Sequence, residues 1–386
     1  MSGRTGYVGD GSERAAYAWL SRACEPGEHA VWAYVTALGA REVAAQIHGR
    51  DAPERIQRLA GPRATEDLAM RDLAAAEQVG ARLVIPGDEE WPTDKFLAMG
   101  AAAAAGEVLC VPPLAIWVRG QARLAGLVDR AVAVVGARAS TPYGNSVAEQ
   151  IADGIAERGV TVVSGGAIGI DRAAHAAVLA AGGATIAVLA CGIDRSYPRG
   201  NKLLLDQITG RGLVATEWAP GAAPMRHRFL VRNRLIAGFT SGTVVVEAGM
   251  RSGARATASR AREMGKVVMA VPGPVTSAMS DGCLQMLRDE AALAVGTAAH
   301  VLEATGVSGA QLLLFERGPE RTGDDLGPAL RRMLDAVPAR RAAPTESIAI
   351  VAAASASDTM RSLTVLEMMG YVEQVEGRWR RQRSVR

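Results

Sequence analysis

Apolar residues fall into two rhythms along this chain. Up to about residue 80 they recur at helical spacing, as in Ala30, Val31, Tyr34, Val35 and Leu38, and again in Val43, Ala44 and Ile47. Gly39 between these runs can end one helix and let the next begin. Two short helices about a glycine turn fit a helix-hairpin-helix that touches a nucleic-acid backbone, and equally a plain helical cap. From 81 to 306 the rhythm changes. β-rich runs at 82–85, 116–118, 132–135, 160–163, 185–189, 213–216, 243–246 and 266–271 alternate with helical stretches. Many of these runs are continuously apolar, as strands covered on both faces are. Strand and helix in repetition predict an α/β, doubly wound, mostly parallel sheet.

Residues 307–328 carry Gly, Pro and mixed charge and read as a linker. Beyond them, 329–336 is helical in pattern, a polar gap follows, and 355–369 again has apolar residues at helical spacing. Gly370 then leads into 371–375 and 377–379, which read as a β-hairpin. Helices followed by a hairpin predict a winged-helix-like domain at 329–386. The tail holds Arg378, Arg380, Arg381, Arg383 and Arg386. Such a run is a solvated end or a source of nonspecific affinity for a polyanion.

Composition narrows the functional classes. A chain of 386 residues is long enough for two or three domains. Aromatics at 4% are too few for a base-stacking sheet that places several on one face. The net charge of +3 does not by itself imply a nucleic acid, so each basic residue must be judged by its position. Of the basic residues only Lys95, Lys202 and Lys266 are lysine; the rest are the planar guanidinium forks that suit phosphate. Cys24, Cys110, Cys191 and Cys283 are far apart and form no CxxC pair, which predicts neither a disulfide frame nor a zinc site and fits a reducing cytoplasm. The first residues show no basic stretch followed by a long apolar run, and Ala101 to Ala105 is too short to span a bilayer, so no membrane association is expected.

In an open parallel sheet ligands bind beyond the carboxyl ends of the strands. After 132–135 comes Gly136-Ala137-Arg138 and then a helix start. Gly136 would let the backbone approach a ligand, and Arg138 would clamp a phosphate beside the helix N-terminus. The absence of GxGxxG argues against a nicotinamide or flavin cofactor. After 160–163 comes Ser164-Gly165-Gly166-Ala167-Ile168-Gly169-Ile170-Asp171, a glycine-rich cradle of amides for an anion. No Gly-Lys-Ser/Thr follows, so it is not a Walker A loop. Asp171 is either a candidate acid or a cap and brace for the loop. His175, one turn on, could join it as a base or metal pair or make a structural hydrogen bond. Cys191 could be a nucleophile or a small buried residue. Arg199 and Lys202 open a further helix.

The segment 220–237 is the most unusual. Arg226, His227, Arg228, Arg232 and Arg234 fall within nine residues, with Phe229 among them. The pattern suits a phosphate track with one stacking platform, or a solvated basic helix. Glu247 ends an apolar strand and is either catalytic or a brace.

Together these motifs resemble the DprA/Smf family of DNA-processing proteins. The resemblance runs over Gly136-Ala137-Arg138, Ser164-Gly165 through Asp171, Ala174-His175, Tyr197-Pro198, Arg232-Asn233-Arg234, Val246-Glu247-Ala248, Ser252-Gly253, Thr257-Ala258 and Ala270-Val271-Pro272-Gly273. It implies an extended Rossmann-like fold that binds single-stranded DNA without sequence preference, forms homodimers, and loads RecA recombinase past single-strand-binding protein, with no catalytic activity and no cofactor. The implied contacts are Gly136, Arg138, Ser164, Gly165, Gly166 and Gly169 on phosphate, Arg199 or Lys202, Arg226, Asn233 and Arg234 along a groove, and Phe229 on a base. The sequence departs from the family pattern at Gly166, Leu230, Arg255 and Leu284. Two other readings compete. One is a phosphoribohydrolase-type enzyme acting on nucleoside monophosphates through Glu247, although Ser241-Gly242-Thr243 lacks the glycine cradle such enzymes carry. The other is a regulatory scaffold with the C-terminal domain as its interaction module.

Overall fold

The computed structural model describes residues 12–306, 326–339 and 342–382; the expected linker lies almost wholly outside these residues, as do Arg383 and Arg386. The described residues form two compact units, 12–306 and 326–382.

The first unit begins with five helices: α1 (Glu13–Ala23), α2 (His29–Leu38), α3 (Ala40–Gly49), α4 (Glu54–Ala60) and α5 (Ala69–Gln78). Gly39 separates α2 from α3 at φ 84°, a left-handed backbone that an L side chain rarely adopts. The sheet follows: β1 (Ala81–Val84), α6 (Thr93–Ala104), β2 (Ile116–Arg119), α7 (Leu124–Asp129), β3 (Ala131–Gly136), α8 (Pro142–Ala156), β4 (Thr161–Ser164), α9 (Ile170–Ala180), β5 (Thr185–Val188), α10 (Lys202–Arg211), β6 (Leu213–Thr216), α11 (Arg226–Phe239), β7 (Gly242–Val246), α12 (Gly253–Glu263), β8 (Val267–Ala270), α13 (Asp281–Arg288), β9 (Leu293–Ala294) and α14 (Ala298–Thr305).

The nine strands run in the order β1-β2-β6-β5-β4-β3-β7-β8-β9. The pairs β1–β2 and β2–β6 are antiparallel and the remainder parallel. Alternate residues of a strand face opposite layers, so the continuous apolar runs mark strands buried twice over. Val132 and Val134 of β3 pack against α8, α9 and α14, while Ala133 and Val135 face the layer containing α6, α11 and α12. The N-terminal helices share their core with Leu83, Trp117, Ala187 and Val214 of the sheet.

Strand order decides where a ligand can sit. The chain moves outward from β3 through β4, β5 and β6, then returns to place β7 on the other side of β3. The loops after β3 and β7 therefore diverge, and the crevice between them is the topological switch point.

The second unit contains α15 (Pro328–Ala336), α16 (Thr345–Ala352), α17 (Ala356–Met368) and the hairpin β10 (Val372–Val375) and β11 (Arg378–Arg381). Its core is built on Met333, Leu334, Ile348, Leu363, Leu366 and Trp379. The helix α16 occupies what the sequence suggested was a polar gap.

Candidate nucleic-acid interface

An open groove of about 890 Å³ lies at the switch point. Its walls come from the loop after β3, the first two turns of α11 and the start of α12, and include Arg138, Arg226, Phe229, Asn233 and Arg251. The Arg138 guanidinium lies over the Phe229 ring, 5.2 Å from its centroid. Tyr197 tilts against the same ring with centroids 5.5 Å apart. Arg138 and Arg226 are exposed, so this is a cationic and aromatic surface rather than an enclosed pocket. The Asn233 side-chain amide donates to the Gly253 carbonyl (3.2 Å), which fixes α11 to the start of α12.

The glycine loop after β4 works differently from the expectation. Its cradle is already filled from within, because the Asp171 carboxyl accepts from the amides of Gly165 (3.0 Å) and Ala167 (3.3 Å). Arg232, itself buried, closes the arrangement by donating to the carbonyls of Gly165 (2.8 Å) and Val188. Burial pushes the Asp171 carboxyl up from its ordinary value, with Arg232 and the loop donors pulling it back. Burial also pulls Arg232 down, to about 10, against the pull of Asp171. Asp171 is thus a loop brace. The N-cap position of α9 belongs to Gly169, at φ 82°.

Several glycines are required by packing. A Cβ on Gly136 would stand 1.9 Å from the Val246 carbonyl oxygen and 2.6 Å from Ile170 Cγ1. A Cβ on Gly169 would meet the Ala137 carbonyl oxygen at 2.3 Å. These glycines seat the loops after β3 and β4 against one another and against β7.

The carboxylates and the histidine are all engaged internally. Glu247, buried at φ 57°, accepts from the Thr141 amide (2.8 Å) and the Thr141 hydroxyl (2.5 Å). Its charge thereby stabilises the N-terminus of α8, the helix end that the sequence had offered to a ligand. His175 Nδ1 lies 2.7 Å from the Thr185 hydroxyl, which donates its own proton to the Val162 carbonyl. The imidazole therefore carries its proton on Nδ1. Burial depresses its pKa to about 3, so it is neutral. Asp171 and His175 face different partners and do not form a pair. Cys191 is buried, and desolvation raises its thiol to about 11, away from nucleophilic use. Among the described residues no group of three or more His, Cys, Asp or Glu side chains could hold a metal ion, and no helix is long and apolar enough to cross a membrane.

The family model described as DNA recombination-mediator protein A matches residues 82–306, the span that builds the sheet and the groove. The chain belongs to the DNA recombination-mediator protein A family. A Mycobacterium tuberculosis chain bearing the DprA name is 44% identical over 365 residues, covering 95% of this chain and 93% of that one. The DNA processing protein DprA of Bacillus subtilis is 34% identical over 192 residues, 50% of this chain and 64% of its own. The X-ray structure of DNA processing protein A from Streptococcus pneumoniae matches with a TM-score of 0.61 at 31% identity, covering 76% of this chain and 97% of that one.

Within this family member the expected contacts divide. Gly136, Arg138, Arg226, Phe229 and Asn233 all line the groove. Arg234 does not. It is 1% exposed and pairs through its two terminal guanidinium nitrogens with Glu217, at 2.5 and 2.7 Å. The Arg-Asn-Arg run lies on a helix, so its third member points into the core and finds a carboxylate there. Ser164 is fully buried with its hydroxyl donating to the Val134 carbonyl (2.6 Å), and Gly165 and Gly166 are buried with it. Gly169 is half-buried under the Arg138 loop. Arg199 and Lys202 are exposed but outside the groove lining, and Lys202 pairs with Asp206 at 2.5 Å. Tyr197 and Arg251 line the groove and were not among the expected contacts, whereas Arg232, one of the basic residues of the expected phosphate track, reaches the groove only as the buried brace of the glycine loop. Position beyond a strand end was the available signal for Arg251, which follows β7 just as Arg138 follows β3.

Proposed function

We propose that the groove binds single-stranded DNA without sequence preference, as a DNA-processing protein acting in recombination rather than as an enzyme. The observation that carries this reading is Arg138 stacked on Phe229 in an open groove flanked by Arg226 and Arg251. Guanidinium groups along a trough bind phosphates of any sequence, and an aromatic face accepts any base. Binding then turns Arg138 from the ring toward a phosphate and frees Phe229 to stack. The position of Glu247 supports a binding role as well. A phosphoribohydrolase would need that carboxylate beside its substrate, and here it holds α8.

Further parts of the reading rest on the family resemblance. They are loading of RecA recombinase past single-strand-binding protein, action as a homodimer in the cytoplasm, and a division into an N-terminal helical domain (1–80), a Rossmann-like DNA-binding domain (81–306), a linker (307–328) and a winged-helix-like domain (329–386). Three helices followed by a hairpin support the last of these.

The test is fluorescence anisotropy of labelled oligo-dT over a range of salt. We expect binding that weakens steeply as salt rises, each phosphate contact contributing about 0.7 to the logarithmic slope. No salt-sensitive binding, or release of free base from AMP that is lost in Glu247→Gln, would overturn the proposal.

A further inference from the structure

The groove wall formed by α11 has a weak point in its own sequence. The first turn of this helix contains no acidic residue and its N-cap, Met225, makes no side-chain capping bond. Arg226, His227 and Arg228 instead place basic groups where the helix dipole is already positive. Basic groups there oppose the dipole and weaken the turn, and a carboxylate placed beside them offsets this.

That carboxylate comes from the turn between α1 and α2. Glu25 accepts from Arg228 (2.6 Å), from the Trp218 indole (3.1 Å) and from Arg63. Arg228 also donates to the Ala223 carbonyl (2.8 Å) and lies over the Trp218 ring, 5.6 Å from its centroid. At 3.6 residues per turn it stands nearly opposite Arg226, so it faces away from the groove while Arg226 and Phe229 face into it. The same stretch is tied twice more. Arg22 donates to the Pro220 carbonyl (2.7 Å), and the Gly221 amide donates to Asp194 (2.7 Å). Gly27 sits so close to α11 that a Cβ there would lie 3.0 Å from Val231 Cγ1.

We propose that Glu25 is a positioning residue for DNA binding: through Arg228 it holds the first turn of α11 and sets Arg226 and Phe229 in place across from Arg138. It touches no DNA itself. The N-terminal helices thereby act on a groove to which they contribute no lining residue. The inference rests on the DNA-binding reading of that groove. Burial raises the Glu25 carboxyl, but its three donors outweigh this and hold it at about 2, so the charge is present at neutral pH.

The experiment measures oligo-dT affinity and amide hydrogen exchange for the full-length chain, as wild type, Glu25→Gln and Arg228→Lys. We expect Glu25→Gln to weaken binding about 3- to 30-fold, the size of losing one helix cap. Its salt slope should match wild type, because no phosphate contact has been removed. Exchange at residues 226–229 should quicken in the free variant and return to the wild-type rate with oligonucleotide bound. Arg228→Lys keeps the charge but loses the fork, and should fall between the two, giving a second readout if Glu25→Gln does not fold. Wild-type affinity and wild-type exchange in both variants would overturn the inference while leaving the groove reading intact. Failure of the wild type itself to bind would remove the groove reading, and this inference with it.

Discussion

The basic residues of α11 separate by what each side chain meets. Arg226 is exposed in the groove, Arg228 bonds Glu25, Arg232 braces the glycine loop, and Arg234 lies against Glu217. Substitution should sort them. Arg138→Ala should cost about 1–3 kcal/mol of oligo-dT binding, typical of a lost charged hydrogen-bond partner, and leave the melting temperature unchanged. Arg234→Ala should instead cost about 3–5 kcal/mol of stability by stranding the buried Glu217 carboxylate. Thermal melts beside anisotropy distinguish the two; a stable Arg234→Ala protein with selectively weakened binding would contradict its place in the core. The sequence made Arg138 legible because it follows an apolar strand. It could not separate Arg226 from Arg234, because Glu217, the group that draws Arg234 inward, lies on another part of the chain. Nor could it show that Asp171 fills the glycine cradle, since Gly-rich loops look alike whether they hold a ligand or a side chain.

At the scale of elements, the strand runs at 132–135, 160–163 and 243–246 were legible because a strand buried on both faces is apolar throughout. The two-residue β9 was too short to leave such a trace. The antiparallel edge of β1, β2 and β6 was hidden because an apolar run does not encode its direction. In the second unit α16 was missed: exposed Ile350 and Val351 sit beside buried Ile348 and Ala349, which blurs its helical period. Two inter-element contacts carry a pH signature. His175, holding α9 to β5, has its pKa lowered from 6.5 to about 3 by burial. Glu25 is lowered from 4.5 to about 2 by its donors, against the opposing effect of burial. Both groups bind fewer protons in the folded state than in the unfolded one at acid pH. Their stabilisation is therefore complete above pH 6.5 and 4.5 respectively, and is lost as pH falls toward about 3 and about 2. Thermal melts should be flat for these groups near neutrality and decline below pH 6.5, and His175→Gln should remove the upper part of that decline. An unchanged pH profile in that variant would show that the imidazole is not held neutral.

Among the described residues, the groove proposed to bind DNA lies in one unit. The groove is built entirely from residues of 12–306, and that unit has its own cores on both faces of the sheet. A chain ending at residue 306 should therefore keep its affinity for oligo-dT at low salt, measured by anisotropy; binding found only with 326–382 would assign the DNA to the second unit. Strand order explains why the site stands where it does. Reversal of the winding at β3 and β7 opens a crevice, and the loops beyond those strands supply Arg138 and Arg251. The most direct test of this account is ultraviolet crosslinking of oligo-dT to the full-length chain, followed by peptide mapping. The account predicts crosslinks at Phe229 and Tyr197, lost when salt disrupts binding and diminished in Arg138→Ala. Crosslinks confined to residues outside the groove would contradict it.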